Sequence, residues 1–120
     1  MATFTAVFGP KSATGGLNDV QVVTNLATTT ASSTLTLNNR NMVAISVVPG
    51  STAGATIGAT VRFSSSTGAG SATATSGDFS IPLNTVVTFE MGDEFNQLSF
   101  FNPNATGTVT ISVMRLNRNA

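Results

Sequence analysis

The stretch TIGATVRFS, residues 56–64, alternates apolar and polar side chains with a period of two. Its odd-numbered positions from Ile57 to Phe63 are all apolar, whereas its even-numbered positions are small, polar or charged. Successive side chains of a β-strand point to opposite faces, so this alternation predicts a strand with one buried face.

The segment MVAISVV, residues 42–48, has apolar residues at both parities. Val43, Ile45 and Val47 share one face, and the opposite face is also largely apolar. A strand that is apolar on both sides is typical of a central position, so we expect this one to be covered on both faces.

Three further runs near the C-terminus, residues 85–91, 95–101 and 108–116, read as strands. The segments between them, 92–93 and 102–107, have the composition of turns, and the simplest prediction is a three-stranded meander.

The last of these runs changes its pattern midway. Its apolar residues are at odd positions up to Val113 and then at even positions, at Met114 and Leu116. Such a change of parity predicts either a β-bulge or a strand end that is apolar on both faces.

We therefore predict an all-β protein, an antiparallel β-sandwich or barrel-like jelly roll with an extended N-terminal arm. Residues 1–30 are expected to form the arm or edge strands, and 31–120 the sandwich domain.

Residues 64–78 contain no large apolar side chain and are long for a loop, so a mobile or functional loop is expected there. The predicted core is Val43, Ile45, Val47, Ile57, Val61, Phe63, Val87, Phe89, Leu98, Phe100, Val109, Ile111 and Val113.

The N-terminal segment has apolar residues but is interrupted by Gly9-Pro10 and Gly15-Gly16, which suits an extended arm. Phe101 follows Phe100 directly, so the two rings must face opposite sides of a strand, and one of them is available for a contact. The candidate residues for contact with a capsid or another subunit are Phe4, Val7, Phe8, Leu17 and Phe101.

Composition argues against catalysis. The chain has no His, Cys, Trp or Tyr, and 8% of its residues are charged, against about 25% in a typical domain. A Ser or Thr nucleophile needs an adjacent base, and this chain offers only one Lys. We expect neither an enzyme nor a cofactor.

Five basic and five acidic residues give a formal net charge of zero. This balance predicts no binding to nucleic acid or to an anionic membrane, and it favours self-association. No segment approaches the ~20 apolar residues of a membrane span, and residues 1–5 do not resemble a signal peptide, so synthesis in a cytoplasm is expected.

Several local patterns have simpler structural interpretations. The acidic residues Glu90, Asp93 and Glu94 do not match a calcium loop, so we interpret 91–94 as a solvated hairpin tip. Asn104 begins a glycosylation sequon, which we interpret as part of a turn. Gly50, Gly54 and Gly58 lack the Gly-Lys-Ser/Thr of a phosphate loop and are interpreted as turn glycines, and the eight Phe residues as core filling.

The segments 42–49, 93–101 and 107–113, in a chain rich in Thr, Ser, Ala and Gly and poor in charge, are similar to those of a known group. The chain resembles small virion proteins of tailed bacteriophages, especially capsid decoration or cement proteins. The resemblance implies a β-sandwich, commonly a homotrimer, that lies on the outer surface of the capsid where major capsid proteins meet and stiffens the shell.

Two other classes stay open. A host-attachment or carbohydrate-binding module would also be a small β-sandwich, although sugar sites usually stack on Trp or Tyr. Thr73-Ala74-Thr75 and Thr108-Val109-Thr110 hint at a flat threonine face of the ice-binding kind, but the pattern does not repeat.

Overall fold

The computed structural model describes residues 7–10, 20–36, 42–65, 72–90 and 95–119, with the backbone alone for 7–10 and 116–119. All regular elements in these ranges are β-strands, and none of the ranges contains a helix long and apolar enough to cross a membrane. The strands are β1 Val7–Pro10, β2 Val20–Leu26, β3 Leu35–Thr36, β4 Met42–Pro49, β5 Ala59–Ser64, β6 Phe79–Ile81, β7 Thr85–Glu90, β8 Gln97–Phe101 and β9 Val109–Asn119.

The strands form two antiparallel sheets. Sheet A has the order β2-β9-β4-β7, and sheet B has the order β3-β8-β5-β6. β1 also belongs to sheet A, where it pairs with residues 116–119 of β9 while β2 pairs with residues 109–114. β1 and β2 therefore follow one another along the same edge of sheet A.

The pairing identifies the fold as a jelly roll. β2 pairs with β9, β3 with β8, β4 with β7, and β5 with β6, so the chain forms a nested antiparallel ribbon that is wrapped into two sheets. Eight strands in two such sheets make a jelly roll, which confirms the predicted fold class. The predicted meander is wrong, because β7 and β9 lie in sheet A whereas β8 lies in sheet B.

The core lies between the sheets and confirms most of the predicted set. Val43, Ile45 and Val47 from sheet A are fully buried against residues such as Leu98 and Phe100 from sheet B. The other predicted core residues that are buried are Val61, Val109, Ile111 and Val113, and those that pack partly buried against the core are Phe63, Val87 and Phe89.

Ile57 is the exception, since 49% of it is exposed and β5 begins only at Ala59. Gly58 lies between the two, so close to the Ile81 carbonyl that a Cβ built on it would be 1.6 Å from that oxygen. Gly58 thus allows a close backbone approach, and the residue before it does not continue the strand.

Of the two interpretations of the parity change in β9, the bulge is wrong. β9 pairs with β4 in continuous register from Val109 to Leu116, and Arg115, only 7% exposed, occupies the inward position that parity assigns to it. The register shifts instead in β2, between Val23 and Leu26, where Asn25 has a φ of 53°.

Candidate interaction surfaces

The outer face of sheet B is covered by the chain itself. Ala74 is 2% exposed, and its N–H donates to Ser99 Oγ at 3.1 Å. Ser99 Oγ in turn donates to the Ser32 carbonyl at 3.1 Å, and Thr60 Oγ1 donates to the Thr75 carbonyl at 2.6 Å. The segment around Ser32 and the segment 74–75 therefore lie on this face, where they are hydrogen-bonded to the hydroxyl groups of Ser99 and Thr60.

Asp78 fixes the same loop. Its Oδ2 accepts the Thr75 N–H at 2.7 Å and lies 3.0 Å from Arg62 Nε. Partial burial alone would raise the pKa of the Asp78 carboxyl, but the hydrogen bond from Thr75 and the Arg62 guanidinium together hold that pKa below its usual value. The loop predicted for 64–78 is thus anchored in its described part, 72–78, by Ala74 and Asp78 rather than by a large apolar residue.

The outer face of sheet A is different, because its valines are open to solvent. The registers align Val20, Met114, Ala44 and Thr88 in one row and Val22, Ser112, Ser46 and Val86 in the next. We call these two rows together with Val48 the valine face. Its four valines are 40 to 64% exposed. None of its residues is charged, and Glu90 lies beyond it in the adjoining row.

A second uncharged surface lies at one end of the sandwich. The connections 27–34, 50–58, 82–84 and 102–108 all leave the strands at the end opposite Glu90, and none contains a charged residue. We call these four connections the loop platform. Ile57, 49% exposed, is part of it.

Asn104 holds two connections of the platform together. Its Oδ1 accepts the N–H groups of Thr56 and Ile57 at 2.9 and 2.8 Å. Its Nδ2 donates to the Ile57 carbonyl and to Asn102 Oδ1, both at 2.7 Å. Asn104 is 2% exposed, so the nitrogen that glycosylation would modify is buried and already bonded, and the sequon has a structural role.

Asn102 and Asn25 join the same two connections to the end of β2. Asn102 Nδ2 donates to the carbonyls of Leu26 and Gly107 at 2.9 and 3.1 Å, and Asn25 Oδ1 accepts the Ser51 N–H at 2.8 Å. These side chains therefore cross-link the connections 50–58 and 102–108 with each other and with the end of β2.

An aromatic cleft of about 250 Å³ lies at the opposite end and is lined by Phe63, Phe89, Glu90 and Phe95. The rings of Phe63 and Phe89 are 5.1 Å apart, and Phe79 packs edge-to-face on Phe89 at 5.4 Å. Phe79 is 57% exposed and Phe95 38%, so these two rings do not fill the core as the sequence analysis expected.

The three predicted contact residues that the structure describes do not lie in one sheet. Phe4 and Leu17 lie outside the described residues. Val7 and Phe8 lie in β1 of sheet A, opposite residues 119 and 118 of β9, whereas Phe101 lies half-buried in β8 of sheet B. The sequence analysis missed the valine face, although Val20, Val22 and Val86 occupy the outward parity of their strands.

The acidic residues show no metal site in the part of the chain that the structure describes. No group of three or more His, Cys, Asp or Glu residues is close enough there to hold an ion. β7 and β8, the strands on either side of 91–94, belong to different sheets, so they do not form the hairpin that the sequence analysis expected. Residues 91–94 themselves, with Asp93 and Glu94, lie outside the described residues.

Comparison of the chain with protein-family models, curated proteins and solved structures finds nothing that matches it.

Proposed function

We propose that this protein is a structural virion protein that decorates the capsid of a tailed phage and stabilises the shell by binding major capsid protein subunits. It is made in the host cytoplasm, acts on the capsid surface and assembles with copies of itself, the trimer being what the resemblance implies. The observation that carries the proposal is the presence of two uncharged surfaces, the loop platform and the valine face, on one jelly roll.

The chemistry of these surfaces suits binding to protein. The cores of protein interfaces are depleted in charged residues, and a surface that is already rigid loses little conformational entropy on binding. The platform combines an exposed Ile57 with loops cross-linked by Asn102 and Asn104. It is therefore suited to seat the protein on a neutral region of the shell.

The N-terminal segment has a part in this proposal. β1 and β2 lie at the edge of sheet A, and in our proposal residues 1–26 extend over the shell or over an adjacent copy. Contacts of this kind use backbone hydrogen bonds and small apolar patches. With few charges involved, binding is expected to depend only weakly on salt.

The test is mass spectrometry of purified virions, followed by binding of the purified protein to shells that lack it. We expect the protein in the virion at many copies per particle, and binding that changes little as salt concentration is raised. Absence of the protein from purified virions would show the proposal to be wrong. Binding that collapses at high salt would show that charged groups, rather than the two uncharged surfaces, make the contact.

The aromatic cleft favours a second candidate, a host-attachment or carbohydrate-binding module. Phe95 and Phe79 present exposed rings on which a sugar could stack. Among the residues that the structure describes, Glu90 is the single polar one that lines the cleft, whereas sugar recognition needs several hydrogen-bonding groups. Glycan-array binding that is lost in Phe95→Ala but kept in Ile57→Ala would support this function over the first.

A further inference from the structure

We propose that the valine face of sheet A is the surface on which a second copy of this chain packs. Homo-oligomerisation is part of the proposed function, so this inference deepens it by naming the surface that makes the contact. The argument rests on the shape, the charge and the area of that face.

The face has a ridge and a valley. Val20 and Val22 project from the edge strand β2. In the row of Val22 the two inner strands present small side chains, Ser112 on β9 and Ser46 on β4, whereas in the row of Val20 Met114 on β9 precedes Ala44 on β4. Strands are about 4.8 Å apart, so the valley at Ser112 and Ser46 is two strands or roughly 10 Å wide, which is enough for a branched side chain. Val22 of a second copy fits this valley.

The charge pattern favours a copy of the same chain over a charged partner. Solvent-facing sheet surfaces normally carry polar and charged side chains, and the valine face carries valines with Ala, Ser, Thr and Met instead. Sheet B follows the usual rule, since its outer face bears Arg62 and is covered by residues 72–78. An uncharged face on a chain of zero net charge meets no repulsion from its own copy.

The area predicts the strength of this contact. The valine face crosses four strands about 4.8 Å apart and covers five residues of β4, 44–48, at about 3.3 Å per residue, which outlines roughly 300 Å² on each copy. The total of about 600 Å² is in the range of a weak, transient interface rather than a stable one. We therefore expect weak association in solution, at micromolar rather than nanomolar concentration, strengthened where many copies are held side by side on a shell.

The test is sedimentation of the purified full-length chain, alone, over a micromolar concentration series. We expect the wild type to self-associate and Val22→Lys to weaken association at least about 100-fold, because the ridge would then place a charge in an uncharged valley that has no partner for it. Ile57→Lys is the matched control, because Val22 and Ile57 are 51% and 49% exposed and Ile57 lies on the loop platform. This control should associate like the wild type.

A second variant probes the valley. Ser112→Glu should weaken self-association, and a mixture of Val22→Lys with Ser112→Glu should restore it, because the ridge lysine of one chain then meets the valley glutamate of the other. Circular dichroism and thermal unfolding confirm that each variant is folded.

Three results would overturn the inference: a wild type that stays monomeric over the whole series, a folded Val22→Lys that associates normally, or loss of association in Ile57→Lys instead. None of these three results depends on a capsid. If self-association fails, the proposal that the protein binds capsids is still tested by the virion experiment. If the protein is absent from virions, the proposal that two copies pack through the valine face is unaffected.

Discussion

Asn104 pairs with the backbone of Ile57 in the way that a neighbouring strand would. Its Oδ1 accepts the Ile57 N–H at 2.8 Å, and its Nδ2 donates to the Ile57 carbonyl at 2.7 Å. One side chain thus satisfies both polar groups of a residue that has no strand partner. This explains how Ile57 can stand outside β5, with its side chain exposed, at no cost in backbone hydrogen bonds.

Replacing Asn104 with Ala should lower the free energy of unfolding by about 3 kcal/mol, because the Ile57 N–H and carbonyl and the Thr56 N–H lose their partner. Urea denaturation measures the change. Thr106→Ala is the control in the same connection, since Thr106 is exposed and makes one long hydrogen bond, of 3.3 Å, to the Gly54 carbonyl. A loss below about 1 kcal/mol in Asn104→Ala would show that water replaces the amide.

Gly58→Ala should destabilise the protein by about 3 kcal/mol or more, because the added Cβ would be 1.6 Å from the Ile81 carbonyl oxygen and the backbone would have to move. Gly77→Ala is the matched control, since its Cβ would meet nothing closer than Thr75 Oγ1 at 3.9 Å. Thermal unfolding of the pair gives the comparison. Equal melting temperatures would contradict the close approach of Gly58 to Ile81, the last residue of β6.

Ile111→Ala should cost roughly 2–5 kcal/mol, because Ile111 is fully buried between the sheets and its truncation leaves a cavity. The control is Val86→Ala on the valine face, where 64% of the side chain is exposed and a change within about 0.5 kcal/mol is expected. Both values come from denaturant curves with unchanged slope. Similar losses in the two variants would mean that the faces of sheet A are assigned wrongly.

The Asp78 carboxylate should make part of the stability dependent on pH. Its pKa is lowered in the folded state, so its contribution is fully present above the unfolded pKa of about 3.9 and is lost as pH falls through the lower, folded value. The difference in unfolding free energy between wild type and Asp78→Asn should therefore be constant at neutral pH and shrink below about pH 4. A difference that grows as the pH falls would show that the pKa of Asp78 is raised, rather than lowered, in the folded state.

Deletion of residues 1–10 should weaken binding to capsids while the sandwich stays folded. The deletion removes β1, but the eight strands that make the jelly roll, β2 to β9, are retained. Circular dichroism and cooperative unfolding check the fold, and cosedimentation with shells measures the affinity. Unchanged affinity would show that the N-terminal segment has no part in capsid binding, and loss of cooperative unfolding would show that β1 is needed for the sandwich.

Period-two alternation was enough to predict an all-β chain and to decide which side chains point inward. Val43, Ile45 and Val47 are buried as expected, because the parity of a side chain within a strand is a local property of the backbone. The same rule places Arg115 inward, where an interpretation based on hydrophobicity alone had expected a bulge.

Pairing between strands could not be predicted in this way. Backbone hydrogen bonds are the same for every sequence, so nothing local shows that β7 pairs with β4 while β8 joins the other sheet. The candidate surfaces depend on that pairing. Val22, Ser112 and Val86 lie far apart in the chain and become one row only when β2, β9, β4 and β7 are side by side.

Burial of polar residues was likewise decided by the tertiary structure. The sequence by itself determined that 102–107 would be a connection, since Asn, Pro and Gly favour turns. Only the packed sandwich decided that Asn102 and Asn104 would be buried and bonded to connections distant in the chain. The physical reason is that a turn preference is local to its residues, whereas the partner of a buried amide is whatever backbone the fold brings within reach.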